Sequence, residues 1–486
     1  MRSAYAAFLA AAMMVAPTMG AAQTAPVEPQ PAVPAPTPAA PSEAQPAPAA
    51  VAVAKPAPAK VTITPYGFLL LQSFWNDGPF AARDYPGQVF QNHDGGAFLM
   101  SARGTRFGFK VGLPDDPFTG AQLSGVIEAD FKGQFIPTVV TSATAAAPTC
   151  TITGTAPNQK ITCTAGAAGT NTVSTTGTNW YNSILRMRLA YATASWGDAS
   201  SKLSLVIGQD WKIIAPLAPT SIAFGYDQIF TQAGNLNNRD PQIKAVYDAG
   251  AEGLGLNLQA AMLSPQDTAA IFATGAVVDY DAGNRSRMPN FEGRVAVNYK
   301  DSGKKVAEVG LAGAVGWRRY NNTATPNTTV DTTTRLAAVD AIFNLPFVTL
   351  QGEGYVSDGM EDSYTALLGS SAILNNTVPA TNPATIASVT NIQSEGYWAQ
   401  AVLKPVSFVS IPVGYGMAQV RYHGLPASFL ATTQRVRNAQ FHTGLLFNMT
   451  NPWKFGFEFT RTTSGYANNL GPATANQYVL ASKLDF

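Results

Sequence analysis

Residues 122–135 read QLSGVIEADFKGQF, and their alternation decides the fold. The odd positions carry Leu123, Ile127, Ala129 and Phe131, while the even ones carry Gln122, Ser124, Glu128, Asp130, Lys132 and Gln134. A period of two with one apolar and one polar face is the mark of a strand that is wet on one side only. Residues 183–196 repeat it, with Leu185, Met187, Leu189 and Tyr191 opposed to Arg186 and Arg188. The pattern returns over 253–262, 291–300, 347–356, 439–449 and 453–460. In the last of these, Trp453, Phe455, Phe457 and Phe459 face away from Lys454, Glu458 and Thr460.

A water-soluble sandwich alternates too, but three features point elsewhere. The strands run to about 10–14 residues, where soluble strands usually hold about 5–6. Aromatic pairs stand near strand ends, as in Tyr66 and Trp75, Tyr191 and Trp196, Trp317 and Tyr320, and Tyr397 and Trp398. Long polar connections (136–179, 212–239, 264–288, 358–394) alternate with short turns (197–201, 248–253, 301–304). Barrels that cross a membrane have this asymmetry. The expected fold is therefore all-β: a transmembrane antiparallel barrel of about 16 strands occupying residues 61–486. A mean hydropathy of +0.02 does not oppose this, because lipid-facing and lumen-facing residues cancel along each strand. Only 13% of residues are charged and 10% are aromatic, and the net charge of +1 gives no footprint for nucleic acid. The chain ends QYVLASKLDF, with Tyr478, Leu480, Leu484 and the terminal Phe486 on one face and Ser482 as the weak point of that series. A closing aromatic of this kind is similar to the signal read by the outer-membrane assembly machinery.

The other end carries an address. Arg2 precedes an apolar run from Ala4 to Val15, and Gly20, Ala21 and Ala22 form a small-residue cleavage site before Gln23. Residues 1–22 read as a signal peptide, too short to span a bilayer. Residues 23–60 are a Pro/Ala-rich segment that can form neither core nor ladder and reads as a periplasmic spacer, or less readily as a wall anchor. Two cysteines, Cys150 and Cys163, lie in one polar stretch of an exported chain and read as a loop disulfide, with free thiols as the alternative. No metal or other cofactor is expected.

Energy orients the strands. An arginine at the lipid midplane of a barrel costs about 2–4 kcal/mol, so charges on alternating strands must face the lumen. This turns inward Arg106, Lys110, Glu128, Asp130, Lys132, Arg186, Arg188, Arg294 and Glu353, together with Gln351. They line a pore, or pair with one another and brace its wall. Basic groups there favour passage of anions. Residues 212–239, KIIAPLAPTSIAFGYDQIFTQAGNLNNR, are apolar for an outside loop. They read as a segment folded back into the barrel to narrow it, or as a packing loop between subunits.

The segments GFLLLQSFW, SARGTRFGFKVG, GVIEADFKGQF, LRMRLAYATASWG, LVIGQDW and NNRDPQIKAVYD stand in an order that resembles the early strands of DcaP-like trimeric porins. The resemblance covers residues 61–250 well. It implies a sixteen-stranded homotrimer in outer-membrane lipid, an inward loop, and a basic constriction that passes small polar or anionic solutes such as dicarboxylates. It also implies pore-lining roles for Arg106, Arg186 and Arg188.

Rival classes are weaker. A barrel hydrolase needs a nucleophile with histidine and a carboxylate in reach, yet His93, His423 and His442 stand in no recognisable constellation. A plugged transporter needs about 22 strands. A structural barrel tethered to the wall by the proline-rich arm is the remaining alternative. Asp358, Glu361 and Asp362 read as a solvated loop cluster, or as a calcium site.

Overall fold

The computed structural model describes residues 61–486 except 92–94, 134–139, 146–148, 154–159, 165–167, 174–183, 225–227, 267–268, 273–276, 280–281, 322–327, 369, 377–385, 422–433, 451 and 468–470. The leader, the proline-rich spacer, His93 and His423 lie outside the described residues.

The main sheet is one antiparallel barrel. In chain order its strands are β1 (Thr62–Asn76), β2 (Ala97–Ser101 and Arg106–Gly112), β3 (Gln122–Gly133), β4 (Ile184–Gly197), β5 (Ser201–Trp211), β6 (Arg239–Ala249), β7 (Gly253–Leu263), β8 (Asn290–Asp301), β9 (Lys304–Asn321), β10 (Thr329–Asn344), β11 (Val348–Asp358), β12 (Gln393–Val406), β13 (Val409–Val420), β14 (Arg435–Thr450), β15 (Trp453–Tyr466) and β16 (Ala473–Asp485). Each pairs with its neighbour in sequence, and β1 pairs with β16 to close the ring. The sheet has 17 ladder segments, two of which are halves of β2, leaving sixteen strands. Where β2 breaks, Leu70 donates its N–H to the Thr105 hydroxyl at 3.1 Å, so a side chain replaces the missing ladder bond. At the seam, Phe486 and Gly67 exchange both backbone bonds at 3.0 Å, and the last residue completes the ring.

The two faces of the wall are inverted relative to a soluble protein. Ile127 is 59% exposed and Leu185 57%, whereas Glu128 is 4% exposed and Arg188 1%. Apolar side chains face outward on every wall strand, which is the belt a hydrocarbon layer requires. Tyr478, Leu480, Leu484 and Phe486 lie on that belt, while Val479 and Ala481 turn inward and are buried. Ser482 is accommodated there by Trp453, whose Nε1 donates to the serine hydroxyl at 3.0 Å.

Two expectations from alternation are corrected. Leu189 and Tyr191 do not share the outward face of Leu185 and Met187. Between Met187 and Leu189 the β3–β4 register slips by one residue, so that Arg188 and Leu189 together oppose Glu128. Such a bulge reverses the parity of everything after it. The aromatic girdle is also divided: Trp75 and Tyr397 are exposed outside, but Tyr320 and Trp398 are buried within the barrel. Tyr66 likewise turns to the lumen, where its hydroxyl donates to Glu128 at 3.1 Å.

Three segments fold into the lumen from the long-loop end. The first is the hairpin Phe80–Ala82/Tyr85–Val89, the second is the stretch 212–238, and the third follows β11 through the short 3-10 turn Glu361–Ser363. Apolar residues of the second segment anchor the main buried cluster. Leu217, Ile222, Phe224, Ile229 and Phe230 pack against Phe74 of β1, Trp398 of β12, Leu446 of β14 and Val479 of β16.

Candidate functional site

The bulge in β4 builds the basic side of the lumen. Arg188 donates from Nε to Glu128 Oε1 at 2.9 Å and from Nη1 to Asp130 Oδ2 at 2.8 Å. Arg186 grips Asp130 with a two-pronged contact at 3.0 and 2.7 Å. Arg106 Nε stands 3.4 Å from Glu128 Oε1, so three guanidinium groups gather around Glu128 and Asp130. Neighbouring β5 supports the bulge. Gln209 donates its amide to the carbonyls of Met187 and Arg188 at 3.2 and 3.0 Å. Gly208, at φ +131°, permits the approach, since a Cβ there would stand 2.2 Å from Ala190 O. Trp211, at the end of β5, lies beneath Arg239 and Arg188, whose guanidinium carbons are 4.7 and 5.9 Å from its ring.

The inward stretch 212–238 is fastened by wall carboxylates. Its backbone N–H groups have left water and need acceptors. Glu292 of β8 accepts from Ile213 N at 3.0 Å, and Glu353 of β11 accepts from Leu217 N at 2.8 Å. Glu458 of β15 accepts from Ile222 N and Ala223 N at 2.9 and 2.8 Å and from the Ser221 hydroxyl at 2.6 Å. Gln400 of β12 exchanges bonds with both backbone groups of Thr220, at 2.7 and 3.1 Å. The Phe230 ring stacks on Trp398 with centroids 5.8 Å apart. It lies over Gly416 of β13, where a Cβ would meet its Cδ1 at 2.9 Å.

Arg435 of β14 ties the three inward segments together. It donates to Gly87 O of the hairpin at 3.1 Å, to Gln232 Oε1 of the second segment at 3.0 Å and to Leu367 O of the third at 2.6 Å. Asp84 of the hairpin also meets the wall, at Arg103 (2.7 Å) and Lys132 (2.5 Å). Burial opposes ionisation of Asp84, and the two cations outweigh it, holding the carboxyl below its usual range.

The residues expected to line the lumen therefore divide. Arg106, Glu128, Asp130, Arg186 and Arg188 form one cluster. Lys110 is exposed, with its ammonium 5.1 Å from the Tyr66 ring centre. Lys132 belongs to the hairpin clamp. Arg294 is buried in the wall between Asp340, Glu308 and Asn257, at 2.6–3.1 Å. Glu353 lies under the folded-in segment and also accepts from Trp398 Nε1 at 2.8 Å. Sequence reasoning missed Glu292, Glu458 and Arg435 as anchors. The available signal was the apolar segment itself, whose N–H groups demand buried acceptors. Glu361 and Asp362 are corrected from a solvated cluster: both are buried, Asp362 against Arg318 at 2.9 and 3.2 Å and Glu361 against the Ser394 hydroxyl. His442 donates to or accepts from Glu458 at 2.9 Å. The carboxylate thus stands between Ser221 and the imidazole, whereas a hydrolytic triad puts the imidazole between nucleophile and acid.

Between the folded-in segment and the wall remains a cavity of about 490 Å³, lined from the barrel side by Arg106, Asp210, Lys244 and Gln259. A closed barrel with an apolar belt, a polar interior and an inward constricting segment defines a membrane-spanning channel of the outer-membrane type. The chain is similar in fold to the outer-membrane channel DcaP of Acinetobacter baumannii, with a TM-score of 0.61 and 15% identity over 88% of this chain and 97% of that one. A loop L8 deletion mutant of OmpT, an outer membrane protein of Vibrio cholerae, aligns with a TM-score of 0.47 and 10% identity over 88% and 99% of the two chains. Salmonella typhi OmpF, in a complex with daunomycin, aligns with a TM-score of 0.46 and 11% identity over 87% and 97%. No protein-family model matches the chain, and a search of curated proteins returns no match.

Two predictions follow from the anchors. Glu458→Leu strips acceptors from four donors, each costing about 1–3 kcal/mol if left buried and unpaired. The inward segment should come loose, and single-channel recordings should show larger and noisier currents; wild-type currents would remove Glu458 as an anchor. Burial pushes the Glu361 carboxyl up to about 7. A folded value above the unfolded one means that this group favours docking of its segment at acid pH and loses that contribution as pH rises through 7. Hydrogen exchange over residues 359–368 should be slower at about pH 5.5 than at about pH 8.5, after correction for intrinsic rates, and Glu361→Gln should abolish the difference.

Proposed function

We propose that the chain is a porin, a water-filled channel through which small polar solutes diffuse across the outer membrane, with a preference for small anions of the kind that dicarboxylates exemplify. The observation that carries this reading is the cluster of three guanidinium groups on β2 and β4 beside the inward segment that narrows the lumen. The nine residues singled out from the sequence then serve in two ways. Arg106, Lys110, Arg186 and Arg188 set the field, and Glu128, Asp130, Lys132, Arg294 and Glu353 brace the wall and the segment.

The DcaP-like resemblance supports a homotrimer. The seam position of Phe486 supports its recognition during assembly, and residues 1–22 and 23–60 are proposed as a cleaved leader and a periplasmic arm. Cys150 and Cys163 are proposed to form a disulfide. They are Cα partners across the hairpin Thr149–Thr153/Lys160–Thr164, although their side chains lie outside the described residues. Thiol titration of the denatured, unreduced chain should then find no reactive cysteine.

The purified chain in planar bilayers should give stepwise ohmic conductance with anions more permeant than cations. Replacing Arg106 and Arg186 together by glutamine should lower the anion-to-cation permeability ratio by about twofold or more. An unchanged ratio would remove these arginines from the filter. Absence of conductance would favour the tethered structural barrel instead.

A further inference from the structure

We propose that the outer face of the barrel, at its long-loop end, holds a bisphosphorylated lipid, the lipid A of the outer leaflet. The site lies outside the pore and is independent of what the channel conducts. Lipid excludes charge, so an arginine on the outward face of a strand needs a reason. Arg437 of β14 and Arg461 of β15 are both exposed on that face, in step with Phe441 and Phe459. Their level supplies the reason. Tyr397, Tyr415, Phe441, Phe459 and Tyr478 form an outward aromatic band across β12–β16. Tyr415 is the register partner of Phe441, and the rings of Tyr397 and Tyr415, Phe441 and Phe459, and Phe459 and Tyr478 have centroids 6.3, 6.4 and 5.2 Å apart. Such a girdle marks the edge of the hydrocarbon layer. β14 begins and β15 ends at the long-loop end, so Arg437 lies beyond Phe441 and Arg461 beyond Phe459, among the headgroups.

Both arginines line one groove of about 520 Å³ with Tyr415, Ala439, Phe441 and Thr463. Gly465 makes room for the first of them, since a Cβ there would stand 3.3 Å from Arg437 Cβ. Arg437 Nη2 reaches Met417 Sδ at 3.4 Å, and among the described residues neither guanidinium is in an ion pair with a carboxylate. Two carboxylates on the same rim are already engaged, Glu395 by Gln419 and Arg421 at 2.7 and 2.8 Å, and Asp77 by both nitrogens of Asn476 at 2.6 Å. Toward the short-turn end, Tyr415 and Phe441 also border a second groove of about 770 Å³, which includes Gly352, Ala399 and Ala401. Cations above an apolar trough, with one aromatic boundary between them, match a lipid with anionic head and acyl tails. Arg437 is the register partner of Gly465, so about 13 Å of strand separates the levels of the two arginines. That separation suits a headgroup with two phosphates set apart, which lipid A has and a phospholipid lacks.

The test uses the full chain refolded in detergent and titrated with bisphosphorylated lipid A, its monophosphorylated form and phosphatidylglycerol, with bound lipid counted by native mass spectrometry. Bisphosphorylated lipid A should bind about tenfold or more tightly than phosphatidylglycerol, with the monophosphorylated form between them. Arg437→Gln combined with Arg461→Gln should erase that preference. Ala399→Phe, which fills the trough and leaves the charges alone, should weaken lipid A binding as well. Arg319→Gln, at an outward arginine paired with Asp331 at 2.8 Å, should leave it unchanged. Planar-bilayer conductance equal to wild type shows that each variant is folded. Equal affinity for lipid A and phosphatidylglycerol, or a preference that survives loss of both arginines, overturns the proposal. So does dissociation of an oligomer in the double variant, which would make the groove a contact between copies of the chain.

Discussion

Hydrocarbon offers no hydrogen bonds, and the whole architecture answers that one constraint. A strand in lipid must satisfy its N–H and C=O groups on both sides, which only a closed sheet can do. The chain therefore pairs β1 with β16 as well as with β2. Thr105 fills the gap where β2 is interrupted, and the last residue bonds Gly67 to finish the seam. Closure then dictates the side chains. Whatever faces out must be apolar, and the charges of the same strands can only go inward.

The same accounting, repeated inside the barrel, determines where the lumen narrows. A segment that enters the lumen gives up water for its backbone, and the wall must supply acceptors in return. Glu292, Glu353, Glu458 and Gln400 stand on four different strands and receive the N–H groups of Ile213, Leu217, Ile222, Ala223 and Thr220. The apolar side chains between those bonds pack on Phe74, Trp398 and Leu446. Position along the wall is thus set by acceptors and held by packing. Arg435 extends this logic to all three inward segments, since one guanidinium can donate to several carbonyls at once.

On β2, β3 and β4 the arginines and carboxylates of the lumen pair chiefly with each other. Pairing fixes the guanidinium groups in place. Across the cavity from Arg106 and Lys244, the inward segment presents Pro216 and Ala218 together with Lys212 and Gln228.

Read alone, the amino-acid sequence determined the barrel, its approximate strand number and the inward direction of most charges. Each of these follows from a local rule: side chains alternate across a strand, and lipid rejects charge. Residues 122–133, 291–300 and 453–460 follow that rule closely, with Val126 and Ala296 as apolar members of the polar faces. Tertiary structure decided what depends on register and on partners far apart in the chain. A one-residue slip between β3 and β4 turned Leu189 and Tyr191 inward, and no local pattern reports a bulge that is defined only by its neighbour. Glu353, Glu292 and Glu458 look like ordinary lumen carboxylates until a segment between 70 and 240 residues away folds onto them. The physical reason is the same in each case: facing is a property of one strand, whereas a hydrogen-bond partner is a property of the closed ring.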